Sequence, residues 1–179
     1  MKAVMISIRP EWTRLILSGK KTLEVRKTRP KMQPPFKCYI YQTLPKSGDW
    51  NERDGRVIGE FICSEIFTVW PGYKEGDDCL TFEQQEKYLG STGYGYGWRI
   101  SELKVYNKPK KLSEFYRWWE GGDDIRPCQN GKPCVHIIYD YSENCEACGI
   151  DFDGTACPYL KVQRPPQSWC YVEELEDWK

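Results

Sequence analysis

The sequence predicts an α+β fold that is mainly β: a small barrel of short strands, two or three short flanking helices and a cysteine-rich insertion. Three observations predict it. Apolar residues recur with period two in several short runs, each bounded by Pro, Gly or Asp. Helical patterns are brief, and short strands with few helices close most economically into a small barrel. Residues 120–164 are acidic, rich in cysteine and poor in apolar patterning, so they read as an insertion between a barrel of residues 1–119 and its return at 165–179.

The elements follow in order. Residues 3–8 alternate and are β-prone, which predicts a first strand, and Pro10 then stands where a first helical turn tolerates it. Trp12, Leu15 and Ile16 lie on one face of a helix that ends at Gly19, a residue able to take the left-handed C-terminal conformation. Runs 22–26, 38–41 and 57–63 alternate as strands. Thr81-Phe82-Glu83-Gln84 has the form of a capping box opening a helix to about Tyr88. Two more strands are expected over 98–106 with Pro109 ending the pattern, a brief helix from Ser113 to Trp119, and a closing strand from Ser168 to Glu173.

Composition limits the function classes. Lys plus Arg and Asp plus Glu both number 26, so the chain is not a generic polyanion binder. The charge is uneven, however. Residues 1–37 hold ten basic residues against Glu11 and Glu24, a balance of +8, whereas residues 120–179 hold five against twelve, a balance of −7. An anion site is therefore expected in the first third. No apolar run approaches the roughly 20 residues that span a bilayer, and the first ten residues lack the apolar core of a signal peptide. A soluble, cytoplasmic protein without membrane partners is the expectation.

Gly19-Lys20-Lys21-Thr22-Leu23-Glu24-Val25-Arg26 has the form G-x-K-x-x-E-x-R. Period-two geometry sets Glu24 and Arg26 side by side on one strand face, with Leu23 and Val25 turned the other way into the core. Beside Lys21 the pair can line a cleft. Arg offers a planar fork, Lys a movable charge and Glu an acceptor, a set suited to phosphate or a base edge. The alternative reading is a same-face ion pair that stabilises the sheet. Tyr94, Tyr96 and Trp98 alternate with Gly93, Gly95 and Gly97 and precede Arg99, which offers base-stacking rings beside a phosphate contact. Against this stands a loop entering a strand, with Trp98 in the core.

This motif resembles the signature of the ASCH family. Ser7-Ile8-Arg9-Pro10-Glu11, Val57-Ile58-Gly59-Glu60-Phe61 and Trp98-Arg99-Ile100-Ser101-Glu102-Leu103 extend the resemblance, which covers roughly residues 2–118 and 165–175. The tail Arg164-Pro165-Pro166-Gln167-Ser168-Trp169-Cys170-Tyr171 is similar to ASCH proteins of phages and gut bacteria. The resemblance implies a PUA-like barrel whose cleft binds RNA or a modified nucleotide, with Arg9, Lys21, Glu24, Arg26, Tyr94, Tyr96, Trp98 and Arg99 as binding candidates. One compact branch of the family hydrolyses the N4-acetyl group of acetylated cytidine with a Lys, a Thr and a Glu, and its Lys corresponds to Lys21. Where that branch has Thr, this chain has Glu24, leaving Thr22 as the substitute hydroxyl and Glu83 or Glu86 as the remote acid. Binding is therefore the primary expectation. The alternatives are an amidohydrolase or ribonuclease using Lys21, Thr22 and Glu24, and a phage-encoded protein-interaction module.

Nine cysteines without a secretion signal argue against a disulfide framework. Cys128, Cys134, Cys145, Cys148 and Cys157 fall within thirty residues, and Cys145-Glu146-Ala147-Cys148 has the two-residue spacing that chelates one ion. A structural zinc held by Cys134, Cys145, Cys148 and Cys157 is expected, with Cys128 and His136 as alternative ligands and no organic cofactor. Free buried thiols or a redox pair are the other readings, and Cys38, Cys63 and Cys170 read as core.

Overall fold

The computed structural model describes residues 1–44, 55–74, 77–118, 161–162 and 164–175, together with the backbone of 126–127 and 133–134. Strand β1 (Lys2–Ile8) leads into helix α1 (Pro10–Leu17), followed by β2 (Leu23–Arg26), β3 (Phe36–Gln42) and β4 (Arg56–Val69). Helix α2 (Phe82–Leu89), β5 (Gly95–Lys110), the two-residue strands β6 (Arg126–Pro127) and β7 (Pro133–Cys134), and β8 (Trp169–Glu173) complete the order. Strands β6 and β7 pair with each other. The remaining six form one sheet in the order β2-β5-β4-β3-β1-β8.

Strands β1 and β3 run parallel, and α1 with β2 supplies the long connection that parallel strands require. Pro10 occupies the first helical position and Glu11 the first turn, both favourable at a helix start. Gly19 ends α1 at φ 73°, a conformation that a side chain would strain. On α2, Thr81 accepts from the Gln84 amide while the Gln84 side chain accepts from the Thr81 amide, the reciprocal cap that the sequence predicts.

Three apolar clusters hold the sheet. Val4, Ile6 and Ile8 of β1 join Phe36, Cys38, Ile40, Phe61, Cys63 and Trp98 on one face. Ala3 and Met5 point the other way, to Tyr39, Tyr41, Val57, Phe115 and Val172. Leu23 and Val25 pack with Val69 and Leu89 beneath α2. Each fully buried large side chain contributes about 1.5–3 kcal/mol, so β1, apolar on both faces, is the anchor of the fold.

Four expectations need correction. The barrel is not closed by a backbone ladder: β2 and β8 are the sheet's edges, and side chains span the gap between them. Arg26 Nη2 donates to the Ser7 carbonyl at 2.6 Å, Trp169 Nε1 to Thr28 Oγ1 at 3.0 Å, and the Lys31 amide to the Tyr171 hydroxyl at 2.7 Å. The stretch 95–110 is one strand, not a loop followed by two strands. Its glycines are packing positions, since a Cβ on Gly97 would stand 2.9–3.0 Å from Val69, Leu23 and Phe67. Pro109 lies inside β5, in the register shift between the Val57–Lys110 and Gly59–Val105 pairs, where the ladder is already interrupted. The helix expected from Ser113 is a single 3-10 turn, Leu112–Glu114, after which buried Phe115 pins the chain to the core. Of the expected zinc ligands, Cys128, His136, Cys145, Cys148 and Cys157 lie outside the described residues, as does the side chain of Cys134.

Candidate functional site

The turn after α1 brings Lys21 back beneath the helix, where its amide donates to the Leu15 carbonyl at 3.0 Å. Its ammonium donates to the carbonyls of Leu23 at 2.8 Å and Asp78 at 2.6 Å and meets Glu24 Oε2 at 3.3 Å. The same nitrogen lies 5.5 Å from the centre of the Trp12 ring, within cation–π range. Glu24 Oε1 accepts from Arg26 Nη2 at 2.9 Å, and that nitrogen also donates to Ser7. Lys21, Glu24 and Arg26 are 3%, 6% and 8% exposed. Sequence alternation thus gives a buried three-membered network in which one carboxylate serves two cations.

Removing such charges from water is costly, and a single carboxylate leaves a net positive charge in a region of reduced dielectric. Two donors in this region have no hydrogen-bond partner among the described residues: Arg26 Nε and Trp98 Nε1. Glu24 pairs across the ladder with Trp98 and Arg26 with Tyr96, so all four residues share one sheet face. At the edge of the network stands Tyr88 of α2. Burial of its hydroxyl end pushes the phenol pKa up, a shift that the Arg26 guanidinium opposes by its charge and by a hydrogen bond and that Glu24 reinforces, with the Lys27 backbone also opposing. The Lys27 ammonium lies 5.6 Å from the Tyr88 ring centre and the Arg29 guanidinium 5.5 Å from that of Tyr96.

The other residues singled out in the sequence divide between this face and elsewhere. Tyr94, 49% exposed, meets Tyr96 edge-on with centroids 6.3 Å apart. Trp98 is fully buried in the core. Arg99 pairs in register with Leu23, so it turns away from Arg26, donates to Glu65 at 3.0 Å and covers Phe67. Arg9 is exposed and faces Glu11 at 3.7 Å. Thr22 is exposed, and its hydroxyl accepts from the Asp77 amide at 3.2 Å. Glu83 and Glu86 both face solvent.

Sequence reasoning missed the strap formed by Asp77 and Asp78. The Asp77 carbonyl accepts from the Thr22 and Leu23 amides, and Asp78 carries both the carbonyl bound to Lys21 and a carboxylate held by Gln85 at 2.7 Å. A pocket of about 260 Å³ opens beside this strap, lined by Tyr73, Lys74, Asp77, Asp78, Phe82 and Gln85 among others. It adjoins the network through Asp78 and includes neither Glu24 nor Arg26. Tyr88 was missed as well, although its position next to Leu89 on a one-faced helix was the available signal.

A mainly-β sheet with short flanking helices and a charged strand face at the seam is consistent with the PUA-like fold that the resemblance implies. The model of the ASCH domain matches residues 6–121, and the chain belongs to that family. Solved structures agree in fold. A mutant of an ASCH protein from Zymomonas mobilis is 24% identical over 64% of this chain and 78% of its own, with a TM-score of 0.51. A further structure of ASCH from that organism is 23% identical over 63% and 75%, also at 0.51. No curated protein matches the chain.

Proposed function

We propose that the face carrying Lys21, Glu24 and Arg26 binds a nucleotide or an unpaired RNA segment, in keeping with the RNA- or nucleotide-related role that ASCH membership suggests. The observation that carries this reading is the buried network with its surplus positive charge. An anionic or acceptor-rich ligand supplies what it lacks, while half-exposed Tyr96 and exposed Tyr88 and Tyr94 offer rings for base stacking worth roughly 1–3 kcal/mol each. Glu24 suits the N–H groups of a base edge and Arg26 its oxygen or a phosphate.

Binding is favoured over hydrolysis by the contacts of Lys21. Its ammonium already faces three acceptors, so serving as a base would first require losing a proton and with it one of those contacts. Thr22 is exposed and engaged with Asp77, whereas Glu24 is buried. The test is titration with nucleotides and short single-stranded RNA, using the wild type, Lys21→Ala and Arg26→Ala. Loss of affinity in both variants supports the cleft, and equal affinity in all three proteins refutes it. Turnover of acetylated cytidine or RNA that disappears in Lys21→Ala would instead establish the hydrolase.

A further inference from the structure

Most buried N–H groups find a partner, and leaving one unpaired costs about 1–3 kcal/mol. The described structure leaves Arg26 Nε–H and Trp98 Nε1–H unpaired. They are not scattered. Arg26 stands two residues beyond Glu24 on β2, Trp98 pairs with Glu24 across the ladder, and period-two alternation keeps all three on one face. Diagonal neighbours in a sheet lie roughly 7–8 Å apart, within reach of side chains as long as Arg and Trp. Of the nearby acceptors, Glu24 Oε1 and the Ser7 carbonyl are engaged by Arg26 Nη2 and Glu24 Oε2 by Lys21, while the Tyr88 hydroxyl faces the same guanidinium without pairing with its Nε–H. Aromatic rings wall the indole, with Phe36 edge-on and Trp169 tilted, both with centroids at 6.1 Å.

From this geometry we infer that Trp98 is a recognition residue, its indole N–H acting with Arg26 Nε–H to receive an acceptor oxygen of the ligand. The inference rests on the binding role proposed above and sharpens it. The ligand must bury an oxygen with no hydrogen of its own to donate, a base carbonyl or a phosphate oxygen. Neither donor atom is exposed to solvent, so the acceptor must enter between the rings of the rim rather than dock on the outer surface.

The test is nuclear magnetic resonance and calorimetry on the full chain with three probes: uridine, inorganic phosphate, and a six-nucleotide single-stranded RNA. The chain holds eight Trp, and loss of one indole cross-peak in Trp98→Phe assigns Trp98. Saturating uridine or phosphate moves that resonance downfield in the wild type, and the effective probe identifies the oxygen as carbonyl or phosphate. Trp98→Phe weakens the RNA about 5- to 10-fold, the worth of one buried hydrogen bond. If the resonance stays in place at saturation and Trp98→Phe binds with native affinity, the inference is overturned. Persistent dependence on Arg26 would then leave the cleft reading standing, whereas failure of every probe to bind overturns both.

Discussion

At the scale of single residues, Glu24 is the pivot, because the two buried cations beside it both depend on its carboxylate. Glu24→Gln keeps the shape but leaves those charges uncompensated, which should cost about 3–5 kcal/mol, read as a lower urea midpoint. A shift worth under about 0.5 kcal/mol would mean that water already screens the network. Tyr39 supports a second prediction. Burial foremost pushes its phenol from 10.0 up to about 12, the Leu175 amide opposing, so the folded state holds this proton more tightly than the unfolded chain. The resulting stability is complete below pH 10 and declines as pH rises toward 12, by about 3 kcal/mol in all. Denaturant titrations of wild type and Tyr39→Phe at pH 9 and 11.5 should differ chiefly in the wild type's greater loss at the upper pH.

At the scale of elements, β5 connects core and site. Its glycines leave room on one side for Leu89, Val69, Leu23 and Phe67, and its aromatic residues form the other side. Gly97→Ala should therefore cost about 1–3 kcal/mol through overpacking, measurable by chemical denaturation. Thr81→Ala, which removes the reciprocal cap of α2, should cost about 1 kcal/mol and loosen Tyr88. The cap was legible because its signal is local: a Thr followed three residues later by Gln. The continuity of β5 was not. Gly and Pro ordinarily punctuate strands, and what overrides them here is tertiary: side chains from β2, β4 and α2 fill the space a Cβ would need, and a register shift accommodates Pro109. Likewise, alternation predicted that Glu24 and Arg26 share a face, but the burial of the network involves contacts from elsewhere in the chain, Arg26 with Ser7 and Lys21 with the strap at Asp78.

At the scale of the whole molecule, the family was legible from one eight-residue motif because that motif lies at a helix end and enters a strand, two features that sequence alone marks well. The open seam was not legible, since it depends on how long, bulged β4 and β5 bend the sheet. For the cysteine-rich segment the prediction is chemical: elemental analysis of purified protein should find one equivalent of zinc, and chelation should lower the melting temperature. Absence of zinc would refute the ligand set Cys134, Cys145, Cys148 and Cys157. Whether the buried network binds a ligand is decided by calorimetric titration of nucleotides and a short RNA into wild type and Arg26→Ala. Arg26→Ala should lose at least about 10-fold in affinity while still melting cooperatively, as expected for removal of a charged hydrogen-bond donor. Equal affinity in the two proteins would contradict it.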